Sequence, residues 1–192
     1  MHAKEIKITL SDKILAATFL RLIPKSVTPN QLTIFRFFSV PFVLFLLSIQ
    51  EYEWAVILFI ISAFTDALDG ALARTTNRIT EWGKMYDPMA DKLLIVLTSL
   101  ILIPKYLGFW LVFSITFIEM VLIGSAYYLK NKGAIEIRAN AWGKGKMISQ
   151  SVAVSLLLLY ALVHAPFLLI GAQYVFYLAI IFALVSLITY GI

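Results

Sequence analysis

The 192-residue chain predicts an all-α integral membrane fold, with six transmembrane helices preceded by a short interfacial amphipathic helix. Three observations predict it. Apolar residues make up 61% of the chain and charged residues 14%, against about 45–50% and about 25% in a soluble domain. A water-soluble fold of this size has no interior large enough to hide that surplus, so the excess faces lipid. The apolar residues also gather into runs near the ~20 residues that a helix rising ~1.5 Å per residue needs to cross a ~30 Å hydrocarbon core. Finally, Lys and Arg concentrate in alternate loops, as topology in a bilayer requires.

Taken in order, Ser11 caps a helix over 12–23 whose apolar residues Ile14, Leu15, Phe19, Leu22 and Ile23 share one side. Lys13 and Arg21 lie on the other side and Pro24 ends the helix, a pattern that suits a helix lying in the cytoplasmic interface. An ordinary linker helix is the alternative. Six spans follow at 30–49, 54–73, 82–103, 109–129, 147–165 and 174–190. With no internal repeat, low-complexity tract or appended soluble segment, residues 1–192 read as one membrane domain. Its parts are an interfacial helix at 11–24 and a six-helix bundle at 30–190.

Orientation follows the cations. Lys4, Lys7, Lys13, Arg21 and Lys25 precede the first span. Arg74, Arg78 and Lys84 join spans two and three, and Lys130, Lys132, Arg138, Lys144 and Lys146 join spans four and five. The opposite loops hold Lys105 alone, beside Glu51 and Glu53. The positive-inside rule therefore puts both termini and the two basic loops in the cytoplasm of a multi-pass protein of the cell (inner) membrane. The net charge of +5 belongs to this asymmetry and to anionic lipid headgroups. Without a basic stripe outside the loops, nucleic acid is not an expected partner. The first twenty residues lack the apolar core of a cleaved signal peptide. With no cysteine, disulfide and thiolate chemistry are excluded. His2 and His164 are isolated and are not expected to bind metal.

The acids stand out. Asp66, Asp69, Asp87 and Asp91 lie at the cytoplasmic ends of spans two and three. An ionised carboxylate in a spanning helix costs about 2.5–3.5 kcal/mol, less toward the interface. Four together repel one another until protons or cations neutralise them. Asp66 and Asp69 are three apart and share a helix face, while Gly83, Asp87 and Asp91 step by four along the next helix. The short connection 74–81 makes the two helices antiparallel neighbours, so both pairs point at each other near one depth. Carboxylates are hard ligands suited to Mg²⁺ or Mn²⁺, and Gly70 and Ala73 leave room beside them. Pro88 either opens span three, with Asp87 as its cap, or kinks a helix begun near Trp82; the four-residue stepping favours the kink.

Asp66-Ala-Leu-Asp69-Gly70-Ala-Leu-Ala73-Arg74, eight residues, Gly83, three residues, Asp87, three residues and Asp91 resemble the signature of the CDP-alcohol phosphatidyltransferases. The motif covers 26 residues, and the six-span layout extends the resemblance over nearly the whole chain. The resemblance implies transfer of a phosphatidyl group from CDP-diacylglycerol to an alcohol, releasing CMP, by a homodimer in the membrane. Asp66, Asp69 and Asp87 would ligate two divalent cations, Mg²⁺ or Mn²⁺. Asp91, in the same metal cluster, would take the acceptor hydroxyl proton as the catalytic base. Gly70, Ala73 and Gly83 would let cytidine approach the helices, with Asp69 and Arg74 holding the nucleotide. Pro29-Asn30-Gln31-Leu32-Thr33 followed by Arg36 resembles the family's first span, where Asn30 would sit near the donor.

Asp87-Pro-Met-Ala-Asp91-Lys92 and Ala139-Asn140-Ala-Trp-Gly143-Lys144-Gly-Lys146 resemble the phosphatidylglycerophosphate synthase and cardiolipin synthase branch. Glycerol 3-phosphate is accordingly the expected acceptor. Its phosphate would be met by Arg138, Lys144 and Lys146, with Glu119 nearby. Met147 stands where the branch commonly has threonine, and Ile118 where an arginine usually precedes Glu119. The second departure keeps phosphatidylglycerol, inositol phosphate and neutral alcohols open as acceptors. Arg36 and Lys92 read equally as snorkelling cations or site residues, and Glu119 as a buried hydrogen-bonding group or an active-site acid. The rival function from another class is an ion-coupled transporter. Transporters place such acids near the midplane of repeated halves, whereas these cluster toward one face without a repeat.

Overall fold

The computed structural model of the chain describes residues 17–20, 24, 27–75, 81–131 and 141–189. Most of the expected interfacial helix, the connection 76–80 and Arg138 lie outside the described residues. Within them the chain forms six helices: α1 Pro29–Ser48, α2 Tyr52–Thr75, α3 Glu81–Tyr106, α4 Phe109–Asn131, α5 Ala141–Val163 and α6 Pro166–Thr189. Four of these, α1, α2, α5 and α6, are long and apolar enough to cross a membrane. α3 reaches 26 residues but carries Lys84, Asp87, Asp91 and Lys92 in its first half. Pro88 lies inside α3 rather than opening it. α5 and α6 begin earlier than the expected spans at 147–165 and 174–190, at Ala141 and Pro166.

The helix ends have local causes. Thr28 is extended at φ −103°, ψ 153° ahead of α1, its N–H donates to Gln31 Oε1 at 2.8 Å, and Pro29 occupies the first turn, where a missing N–H is harmless. α1 ends as Gln50 turns to φ 65° and the Glu51 N–H reaches back to the Leu46 carbonyl at 2.9 Å. α3 ends at Gly108, φ 93°, where the Leu107 and Gly108 N–H groups both donate to the Ile103 carbonyl. His164, φ 58°, closes α5 with its N–H on the Tyr160 carbonyl. Its ring sits 6.0 Å from that of Tyr160, so it serves as a helix terminator.

The residues divide into two compact units, Met1–Leu97 and Thr98–Ile192. In the first, α1 packs along α2. The seam is made by Val40, Val43 and Leu47 from α1 and Ala55, Val56, Phe59 and Ala71 from α2, all buried. In the second, α6 packs along α5 and also meets α4. Ala172, Phe176, Ala179, Ala183 and Ser186 step by four and three along the buried face of α6. Small residues at that spacing let helix backbones approach closely, which is how apolar helices gain packing energy when both their neighbours and the solvent are apolar. Phe38, Phe42, Phe45, Trp110, Phe113 and Phe117 stay exposed, the reverse of a soluble core.

Candidate active site

The polar end of the first unit is organised by one face of α1. Thr33, Arg36 and Ser39 recur every three residues inside an otherwise apolar run, and none is more than 3% exposed. That spacing puts them on one side of the helix, facing α2 and the start of α3. Ser39 Oγ donates to the Arg36 carbonyl at 2.8 Å and shares a hydrogen bond of 2.6 Å with Ser62 Oγ of α2. This contact sets the register of α1 against α2 one turn below the acids.

Arg36 carries the centre of the site. Its Nη1 lies 2.8 Å from Asp66 Oδ1 and its Nη2 2.5 Å from Asp69 Oδ2. The two carboxylates present to it as a pair because they are three apart on α2. Asp69 is buried, whereas the Asp66 side chain is 45% exposed. From α3, Asp87 accepts a hydrogen bond from Thr33 Oγ1, and the Phe37 and Tyr86 rings meet edge to face at 6.3 Å. Asp91, one turn further, is half-buried. α1 thus gathers three of the four expected acids: two through Arg36 and one through Thr33.

Among the described residues, no three His, Cys, Asp or Glu side chains are spaced as a metal-ligand group. The acids point to Arg36 and Thr33 instead. The donor set nevertheless suits a hard divalent cation. The contacts just given use one oxygen of each carboxylate, and a carboxylate has a second with lone pairs of its own.

The nucleotide residues also have positions. A side chain added at Gly70 would meet the Arg74 guanidinium, whose Nη atoms lie 3.1 and 3.2 Å from the site of its Cβ. Arg74 therefore folds back over the one residue of that turn without a side chain. Gly83 is buried, while Asn30 and Ala73 are half-buried.

In the second unit, Glu119 of α4 is met by two residues of α5. Lys146 Nζ lies 2.6 Å from Glu119 Oε1, and Gln150 Nε2 donates to the same oxygen at 3.0 Å. All three are buried, whereas Lys144 is exposed. The sequence alone assigns no role to Thr33, Ser39, Ser62 or Gln150. The signal for the first two was available as polar residues at helical spacing with Arg36 inside an apolar run.

A family model described as CDP-alcohol phosphatidyltransferase matches residues 26–189. Curated relatives named CDP-diacylglycerol–glycerol-3-phosphate 3-phosphatidyltransferase are similar to this chain. The protein from Bacillus subtilis (strain 168) is 33% identical over 178 residues, covering 82% of this chain and 90% of its own. That of Cereibacter sphaeroides is 34% identical over 140 residues, 68% of this chain and 62% of its own. That of Salmonella choleraesuis is 33% identical over 138 residues, 68% and 75%.

Proposed function

The chain belongs to the CDP-alcohol phosphatidyltransferase family of enzymes, and from that premise we propose that it transfers a phosphatidyl group from CDP-diacylglycerol to glycerol 3-phosphate, giving phosphatidylglycerophosphate and CMP. The observation that carries the reading is that α1 gathers Asp66, Asp69 and Asp87 from two helices, with Asp91 one turn beyond Asp87 on α3. The shared name of the relatives supports the acceptor.

The family uses divalent metal ions. Here Asp66, Asp69 and Asp87, with Asp91 beside them, would hold two, Mg²⁺ or Mn²⁺. Ions held by these residues would supply positive charge to offset that on the diphosphate and on the CMP leaving group. Asp91 accepts the proton of the acceptor hydroxyl as that oxygen forms its bond to phosphorus and the bond from phosphorus to the CMP oxygen breaks. Arg74, Asn30 and Asp69 hold the nucleotide, and Gly70, Ala73 and Gly83 give it access to the helices. Lys144 and Arg138 bind the acceptor phosphate. Lys146, whose ammonium has three donors, can contribute one while it holds Glu119.

We place the enzyme as a homodimer in the cell (inner) membrane, with six spans, an interfacial helix at 12–23, and its termini and site toward the cytoplasm. The Lys and Arg asymmetry of the loops supports that orientation. Residues 1–192 act as one catalytic domain on this reading.

The test is competition in one detergent assay. Purified protein with CDP-diacylglycerol and a divalent cation is offered glycerol 3-phosphate, phosphatidylglycerol and inositol phosphate. Phosphatidylglycerophosphate is the expected product. Each charge-assisted contact to a phosphate contributes about 1.5–3 kcal/mol, so Lys144→Ala or Arg138→Ala should raise the glycerol 3-phosphate KM roughly tenfold or more and spare the donor KM. Cardiolipin from phosphatidylglycerol, with no product from glycerol 3-phosphate, would leave the family and remove this acceptor.

A further inference from the structure

We propose that Arg36 is a standing counter-cation of the acidic cluster, which keeps α1 packed on α2 whether or not divalent ions are bound. The proposal rests on the reading of Asp66 and Asp69 as metal ligands and adds to it a residue outside the Asp66–Asp91 motif. Arg36 is 0% exposed, so its charge is not there to meet water or headgroups. It touches one oxygen on each of two acids, and this geometry leaves their second oxygens to share with another cation. Its Nε and Nη1 are buried without a hydrogen-bond partner among the described residues, the contact of Nη1 with Asp66 being an ion pair alone. A guanidinium positioned for complete hydrogen bonding would not leave those donors orphaned, since an unmet buried donor is costly. The charge of the two carboxylates is what holds it.

Without Arg36, buried Asp69 would be an anion beside a second anion, with only neutral hydroxyls reaching the cluster from α1. Asp66 and Asp69 both belong to α2, so their repulsion would add to the desolvation cost that α1 imposes by covering Asp69, and α1 would come away from α2 to let water in until a cation arrived. The neighbouring Ser39–Ser62 hydrogen bond joins the same two helices without charge. It therefore separates a general packing effect from an electrostatic one.

The experiment is thermal unfolding of the full chain in detergent, once in excess chelator and once in saturating Mg²⁺. In chelator, Arg36→Gln should lower the midpoint by roughly 10 °C, and Mg²⁺ should raise it by clearly more than it raises the wild type. Ser39→Ala should lower the midpoint equally in both conditions. Arg36→Gln combined with Asp66→Asn should recover most of the loss in chelator, because one charge of each sign has gone. The proposal is overturned if Arg36→Gln unfolds with the wild type in chelator, if Ser39→Ala shows the same enlarged response to Mg²⁺, or if the double variant is no more stable than the single one. Should Arg36→Gln yield no folded protein, the double variant decides: folded protein upholds the proposal and its absence overturns it. The chelator arm contains no divalent ion, so its result is separate from the proposed chemistry. Wild-type turnover in chelator would sink that chemistry and leave the arm unchanged.

Discussion

Lys146 of α5 sets its ammonium 2.6 Å from Glu119 of α4, and both side chains are at least nine-tenths buried. An acid near the middle of an apolar helix demands such a partner, and Gln150 adds a second contact to the same oxygen. The pair is a structural tie between α4 and α5, and it makes the roles of Lys146 separable. Removing one member of a buried pair costs about 3–5 kcal/mol because the other charge is left unpaired. We therefore expect Glu119→Gln and Lys146→Met each to lower the thermal midpoint markedly, and the double variant to unfold close to the wild type. The double variant then reports chemistry alone. A raised glycerol 3-phosphate KM in that stable protein assigns the Lys146–Glu119 pair to the acceptor as well, and an unchanged KM confines it to the tie.

Divalent metal dependence is the second expectation. Asn in place of Asp66, Asp69 or Asp87 keeps the shape of the side chain and removes an anionic ligand, leaving charge on the departing CMP uncompensated. Each variant should lose activity by at least about 100-fold, in line with the loss of a main electrostatic stabiliser. Each should also keep its helical circular dichroism and bind Mn²⁺ more weakly in an equilibrium titration. Full turnover in excess chelator contradicts the whole scheme.

Asp91 should behave differently. Asp91→Asn removes the proton acceptor alone, so the variant should retain metal and CDP-diacylglycerol affinity while kcat collapses. Binding measured by calorimetry beside single-turnover product formation separates the two quantities. If affinity falls as far as it does in Asp66→Asn, Asp91 is a ligand and the base lies elsewhere.

The sequence made the first four helices legible to within a few residues, because there the apolar runs and the helices coincide. It misplaced the starts of the last two for a physical reason. Hydropathy does not mark the polar helical turn from Ala141 to Lys146 with which α5 opens, and it does not show the break between α5 and α6, because α6 opens inside the apolar run Pro166-Phe-Leu-Leu-Ile just after the turn at His164. At the site, the spacing of Asp66, Asp69, Asp87 and Asp91 was enough to group them. What they bond to was not legible. Arg36 reads as a snorkelling cation until α1 is seen to bury it, and no local pattern tells that Thr33 meets Asp87, 54 residues later in the chain. Glu119 reads in the sequence as a buried hydrogen-bonding group or an active-site acid, but its partner sits 27 residues away and only the packing of α4 and α5 supplies it.

Gly70 offers the sharpest test of the donor pocket. Within a helix, Ala is favoured over Gly by about 1 kcal/mol, so Gly70→Ala, within the last two turns of α2, should leave stability unchanged or slightly raised. The new methyl would press on the Arg74 guanidinium at 3.1–3.2 Å. That group is the far end of a flexible side chain and can yield by a few tenths of an ångström. The space that the nucleotide would use is thereby narrowed and Arg74 is moved. We expect the CDP-diacylglycerol KM to rise by roughly tenfold, the size of a lost or misaligned contact of about 1.4 kcal/mol, with a larger rise for Gly70→Leu. The KM for glycerol 3-phosphate should stay constant. Thermal unfolding and donor kinetics on the same two variants decide the matter. A lowered midpoint with an unchanged donor KM would mean that Gly70 is there for helix packing, and the nucleotide would then have to approach α2 along another face.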